Sequence, residues 1–60
     1  MKPYEERLIE ERWELIGKLE KLRHFIATIP IEHEHYRLLI QQQIVMQEYI
    51  QILDKRLAIK

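Results

Sequence analysis

The side chains best suited to bind a ligand are tyrosines and arginines near the two ends of the sequence. Tyr4, Arg7 and Glu11 lie near the N-terminus, and Tyr49 and Arg56 lie near the C-terminus. A tyrosine ring can stack on a nucleobase while a neighbouring guanidinium group binds a phosphate. We therefore interpret these five residues as a candidate site for a nucleotide-type ligand. The competing interpretation places the tyrosines at an interface and the arginines in salt bridges at its rim, which is the more common arrangement.

Three histidines near the middle of the chain are the other candidates for ligand chemistry. His33 and His35 are two residues apart, and His24 precedes them. Histidines at positions i and i+2 point to different sides of a helix, so this pair could chelate a metal only from an extended segment. Zinc would also need a third ligand, such as His24 or Glu32. A polar turn explains the pattern, so we predict no metal site and no cofactor, and the role of the histidines stays open.

The sequence contains no pattern typical of a catalytic site. It has no serine and no cysteine, and Thr28 is its only alcohol apart from tyrosine. A glycine-rich phosphate loop is excluded because the chain has a single glycine. Nothing in the pattern of carboxylates predicts a low-dielectric pocket that would shift their pKa values. We therefore predict that the protein is not an enzyme and has no catalytic residues.

Length and composition limit the protein to one small helical domain. Chains of about 60 residues usually need disulfides, a metal or oligomerisation to fold stably. The absence of cysteine excludes disulfides and fits a reducing compartment. Ten acidic and ten basic residues cancel, so no overall charge attracts nucleic acid or a membrane surface. Without an apolar run of about 18 residues or a secretory signal, we expect a cytoplasmic protein that does not contact membranes.

Apolar residues at helical spacing divide the chain into two helices. Pro30 separates them, because the residue before a proline avoids the α region and ends a helix. Two long helices joined by a short connection are antiparallel neighbours. The predicted fold is therefore all-α, an antiparallel two-helix hairpin that forms a single domain over residues 1–60. We place the first helix at about 3–29, the turn at about 30–34 and the second helix at about 35–58.

Charged residues mark the ends of the second predicted helix. The helix begins somewhere between Ile31 and His35, and an early start puts Glu32 and Glu34 in its first turn, where the helix dipole favours acids. Its last turns carry Lys55, Arg56 and Lys60, and the helix dipole favours their positive charge at that end. In an antiparallel hairpin these basic residues would lie beside the acidic start of the first helix.

Each helix carries the apolar seam of a heptad repeat. The seam of the first helix is Leu8, Leu15, Leu19, Leu22, Ile26 and Ile29, interrupted by Arg12. The seam of the second helix is Tyr36, Leu39, Gln43, Met46, Ile50, Leu53 and Leu57. Pairing across the turn requires position numbers that sum to roughly 65, which places Leu8 opposite Leu57.

The second helix carries a further apolar row that its seam does not need. Leu38, Val45, Ile52 and Ile59 recur every seven residues on the heptad c position. They widen the apolar arc to roughly 200°, of which one partner helix covers only about half. Trp13 likewise lies outside the seam of the first helix. We predict that these five residues form the interface of a homo-oligomeric helical bundle, and the number of chains, a dimer or higher, stays open.

Gly17 lies on the polar side of the first predicted helix. A glycine there lowers helix propensity by about 1 kcal/mol relative to alanine. Its more common role is that of a tolerated surface residue. The alternative is that it allows a neighbouring chain to approach closely.

Short segments of the sequence match the pattern of a known family. They are Pro3-Tyr4-x-Glu6-Arg7, Glu14-Leu15, Lys21-Leu22, Phe25-Ile26, Leu39, Gln43, Met46-Gln47-x-Tyr49 and Ile52-Leu53-x-Lys55-Arg56. With these segments the chain resembles a family of small phage and prophage helical-hairpin proteins first catalogued in crAss-like phages. The resemblance implies an accessory protein that counters host defence, since some helical hairpins of phages assemble and sequester cyclic nucleotide signals between chains.

Three hypotheses for the function follow. The first is a non-enzymatic, oligomeric phage-type accessory protein that sequesters a nucleotide immune signal in the host cell cytoplasm. The second is a protein–protein interaction module in which the extra apolar row binds a helix of a host or phage protein. The third is an RNA-binding helical hairpin, against which the zero net charge and the lack of a basic stripe argue.

Overall fold

The computed structural model describes residues 3–59, and these form two helices joined by a turn. The first helix, α1, spans Pro3–Thr28, and the second, α2, spans Tyr36–Ala58. The two helices pack against each other in a hairpin that measures 46 × 15 × 12 Å. The predicted all-α hairpin is confirmed. Of the described residues, no helix combines the length and the apolar character that crossing a membrane requires.

The end of α1 is determined by Pro30. Because a proline disfavours the α conformation of the residue before it, Ile29 lies outside the helix and α1 stops at Thr28. The hydroxyl group of Thr28 donates a hydrogen bond of 2.7 Å to the carbonyl oxygen of Phe25. This bond satisfies one of the carbonyl groups that the end of a helix leaves without a partner.

The connection between the helices consists of two successive turns. The backbone N–H of His33 donates to the carbonyl oxygen of Pro30, and the N–H of Tyr36 donates to the carbonyl oxygen of His33, both at 3.0 Å. As a result α2 begins at Tyr36, and its first turn contains no acidic residue. The expectation that Glu32 and Glu34 lie in this first turn is wrong, because the two hydrogen bonds keep both residues in the connection.

The last turn of α2 carries the basic residues that the sequence places there. Lys55 and Arg56 lie in this turn, where positive charge interacts favourably with the helix dipole. After the helix the backbone becomes extended at Ile59, whose N–H donates to the carbonyl oxygen of Arg56 at 3.3 Å. Lys60, also expected near this end, lies outside the described residues.

The contact between the helices follows the two apolar seams. Leu8, Leu19 and Ile26 of α1 and Leu53 of α2 are buried, and Leu53 has no exposed surface. The other seam residues are half-buried: Leu15, Leu22, Ile29, Tyr36, Leu39, Gln43, Met46, Ile50 and Leu57. Among residues 3–59, one chain thus has only four buried apolar side chains, a small core for a stable domain.

A set of large apolar side chains lies outside this contact. Leu38, Val45, Ile52 and Ile59 are 61%, 57%, 53% and 70% exposed, and we call these four residues the α2 row. Trp13 of α1 is 63% exposed. The hairpin therefore leaves uncovered all five residues that the sequence assigns to an oligomer interface.

Candidate ligand site at the end opposite the turn

The end of the hairpin opposite the turn brings the first part of α1 beside the last part of α2. There the phenol group of Tyr49 donates a hydrogen bond to Oε1 of Glu11. Arg56 follows Tyr49 by seven residues, on the same side of α2, and its positive charge influences the phenol. The structure thus brings together three of the five residues that the sequence suggests for a ligand site.

The pKa of the Tyr49 phenol is raised above its ordinary value. The hydrogen bond to Glu11 is the main cause, because an ionised phenol could no longer donate it. Partial desolvation and the negative charge of Glu11 raise the pKa further, and the charge of Arg56 opposes them. With 41% of the residue exposed, Tyr49 presents a neutral hydroxyl group and an accessible ring at the surface.

The other two residues of the suggested site precede Glu11 on α1. Tyr4 and Arg7 lie seven and four residues before Glu11, so the three share one side of the helix. Tyr4 is 47% exposed, and the side chains of Arg7 and Arg56 are exposed as well. Two guanidinium groups and two partly exposed rings therefore lie at the same end of the hairpin.

A second polar connection between the helices involves two residues outside the suggested ligand site. Nε of Arg12 donates to Oδ1 of Asp54 at 2.5 Å. The position numbers of this pair sum to 66, which agrees with the predicted register. Because the side chains are 30% and 49% exposed, the ion pair aligns the helices more than it stabilises them. The signal for it was the polar interruption of the α1 seam at Arg12.

Arg12 also contacts the exposed ring of Trp13. Its guanidinium carbon lies 5.6 Å from the ring centroid, within the range of a cation–π interaction. Since Asp54 holds the guanidinium group, the ring lies beside a fixed cation. Trp13 therefore presents an apolar surface on a side of α1 that α2 does not cover.

Comparison with known proteins assigns the chain to a family. Residues 2–59 match the family model described as Sequestin. The chain belongs to the Sequestin family. No curated protein and no solved structure matches it. The Sequestin match includes both helices and the connection between them.

The histidines in the connection of this Sequestin chain contact one another and the backbone. Nδ1 of His33 accepts a hydrogen bond of 3.1 Å from the backbone N–H of His35, and the two ring centroids are 5.7 Å apart. Nε2 of His35 lies 3.6 Å from a carboxylate oxygen of Glu34. Over the described residues, no group of three His, Cys, Asp or Glu side chains is placed to hold a metal ion. These contacts support a role for His33 in the turn.

The candidate site is an open surface on the single hairpin. Within residues 3–59 the chain encloses no cavity. Sites for small molecules usually bury most of the ligand surface, which an open face between two helices cannot do alone. A second chain packed beside Tyr49 would supply the missing wall.

Proposed function

We propose that this member of the Sequestin family is a non-enzymatic, phage-type protein that forms a homo-oligomer and sequesters a nucleotide-type immune signal in the host cytoplasm. The family name is consistent with a sequestering role. One observation carries the proposal: Tyr49 lies between Val45 and Ile52 of the exposed α2 row, four residues after the first and three before the second. A second chain that covers the row would therefore also enclose the candidate site.

The surface area of the hairpin supports self-association. The protein exposes 5159 Å², whereas a compact monomer of 7.5 kDa exposes about 4,200 Å². The excess is about 900 Å², comparable with the roughly 800 Å² that each partner buries in a stable interface. Covering the α2 row would bury apolar side chains that the small core of one chain leaves in water.

The candidate site has the chemistry to bind a ligand that contains a phosphate and a base. Arg7 and Arg56 supply guanidinium groups for the phosphate. Tyr4 and Tyr49 supply rings on which a base can stack, and the hydrogen bond to Glu11 fixes the Tyr49 hydroxyl group. These groups can bind the ligand, and the sequence has no serine or cysteine that could attack it.

Isothermal titration calorimetry of the full chain, with a panel of cyclic oligonucleotides and ADP-ribose derivatives, tests this function. We expect saturable binding of one ligand class, with the ligand recovered unchanged when the protein is denatured. Cleavage products would contradict sequestration. Absence of binding across the panel at micromolar protein would contradict a nucleotide-type ligand.

A variant of Arg56 links the binding to the candidate site. We expect Arg56→Ala to weaken binding at least about tenfold, because losing a charge-assisted hydrogen bond costs about 1.5–3 kcal/mol. Arg37→Ala is the matched control, since Arg37 is also an exposed arginine of α2 but lies at the end near the turn. Equal weakening in both variants would mean that overall charge, and not this site, attracts the ligand.

The α2 row also supports a second candidate function, binding a helix of a host or phage protein. In that case the purified chain would be a monomer of 7.5 kDa in light scattering. A multiple of that mass favours self-association. RNA binding has the least support, because a chain of zero net charge offers few contacts to phosphates.

A further inference from the structure

Two of the apolar surfaces that the hairpin leaves uncovered, the α2 row and the side of α1 that carries Trp13, lie on opposite sides of it. Glu11 and Arg12 are neighbours on α1 and point about 100° apart around the helix. They bond to residues five positions apart on α2, Tyr49 and Asp54. The two bonds therefore flank the contact between the helices, one on each side. The α2 row lies beyond Tyr49 on one side, and Trp13 lies beyond Arg12 on the other.

The surface around Trp13 has the shape to receive a helix. Ile9 and Ile16 lie four residues before and three residues after Trp13, on the same side of α1, and both are half-buried. Trp13 is 63% exposed, and a Cβ atom added to Gly17 would meet nothing within 4 Å. A large ring next to a residue without a side chain lets a second backbone approach closely. We call Ile9, Trp13, Ile16 and Gly17 the Trp13 face.

We propose that the Trp13 face of one chain binds the α2 row of a second chain. Charge complementarity favours this pairing, because Arg12 is paired with Asp54 and Glu20 with Arg23, and the net charge that remains beside the two surfaces has opposite sign. Beside the Trp13 face the exposed charged residues outside these two pairs are Glu6 and Glu10. Beside the C-terminal half of the α2 row they are Glu48, Lys55 and Arg56, with a net positive charge. Pairing two Trp13 faces would instead bring acidic residues together.

A contact between two different surfaces of the chain determines which type of oligomer forms. This inference rests on the self-association proposed above. Each pair of chains leaves one Trp13 face and one α2 row free, so chains add until a ring closes. In this arrangement the partner's Trp13 lies against Val45 and Ile52, on either side of Tyr49. The candidate ligand site is then completed by an aromatic ring of the next chain.

Cross-linking tests this contact directly, because the chain contains no cysteine. Gly17→Cys and Val45→Cys place one thiol on each surface, at exposed positions. After the two variants are mixed and exchange subunits, we expect a short bis-maleimide to give covalent dimers in the mixture and not in either variant alone. Equal yields from one variant alone, or no dimers in the mixture, would overturn the proposal. Glu14→Cys, exposed on another side of α1, is the control that should not cross-link to Val45→Cys.

Light scattering of complementary variants gives a second test. Trp13→Glu removes one surface, and Val45→Glu combined with Ile52→Glu removes the other. We expect each variant alone to be monomeric and their equimolar mixture to form a heterodimer of twice the 7.5 kDa chain mass. If Trp13→Glu keeps the mass of a wild-type oligomer, the pairing of the Trp13 face with the α2 row is wrong, but self-association is not contradicted. If the wild-type chain is itself a monomer, both the pairing and the self-association are wrong. Where circular dichroism shows that a variant has lost its helices, the cross-linking result decides.

Discussion

At the scale of residues, Glu11 and Arg12 connect α1 to α2 in different ways. Glu11 accepts a hydrogen bond from Tyr49 on one side of the hairpin, and Arg12 pairs with Asp54 on the other. Two adjacent residues thereby define how α1 is rotated about its axis relative to α2. This rotation turns Trp13 to the side of the hairpin opposite the α2 row.

The hydrogen bond to Glu11 predicts a dependence of stability on alkaline pH. Since the pKa of Tyr49 is raised in the folded chain, folding favours the neutral phenol. This contribution to stability is fully present below the ordinary tyrosine pKa of about 10, and it is lost as the pH rises through the raised value. We expect Glu11→Gln to lower the pKa of Tyr49, because the variant removes the charged acceptor.

Phenolate absorbance measures this pKa. The chain has two further tyrosines, Tyr4 and Tyr36, so the absorbance curve of a matching Tyr49→Phe variant is subtracted to isolate Tyr49. If the titration midpoint of Tyr49 is the same with and without Glu11→Gln, the hydrogen bond to Glu11 does not raise the pKa of the phenol.

The sequence alone could suggest one of these connections and not the other. Residue types and helix register place Glu11, Tyr49 and Arg56 at the same end of the hairpin. Arg12, in contrast, looks only like an interruption of an apolar seam. Its pairing with Asp54 depends on the rotation of each helix about its axis, which the register along the axis does not define.

At the scale of elements, heptad spacing identifies which side of each helix faces the other. All the seam residues are buried or half-buried, and the whole α2 row is exposed. The start of α2 was harder to predict, because hydrogen bonds of Pro30, His33 and Tyr36 hold the connection. Such turns have no periodic pattern in the sequence, so acidic residues near a helix start can belong to the turn.

Two neighbouring residues of α2 separate the intrachain core from the proposed interface. We expect Leu53→Ala to lower the free energy of unfolding by about 2–5 kcal/mol, because Leu53 is completely buried. Ile52 is 53% exposed, so in an isolated hairpin Ile52→Ala would change the free energy of unfolding by less than about 0.5 kcal/mol. If the protein self-associates through this residue, we expect Ile52→Ala to lower the free energy of unfolding by more than about 1 kcal/mol. Chemical denaturation followed by circular dichroism measures both.

Protein concentration provides the control for this comparison. If Ile52 lies between chains, the midpoint of the wild-type transition rises with concentration by mass action. A negligible effect of Ile52→Ala together with a midpoint independent of concentration would place Ile52 on a solvent-exposed surface.

At the scale of the whole molecule, the hairpin is too thin to bury its own apolar residues. Its two short dimensions of 15 and 12 Å leave room for a single layer of contact between the helices. Length and composition predict that the chain needs a partner, and this stays a prediction. They do not predict how many chains would assemble, since that number depends on the angle between neighbouring chains and not on the heptad pattern within one chain.

Self-association through the α2 row is tested most directly by light scattering of the full 60-residue chain after size-exclusion chromatography. We predict a wild-type mass that is a multiple of 7.5 kDa. The variant with Val45→Glu and Ile52→Glu should return to 7.5 kDa at the same concentration. A wild-type mass of 7.5 kDa, or an unchanged oligomer in the variant, would contradict assembly through this surface.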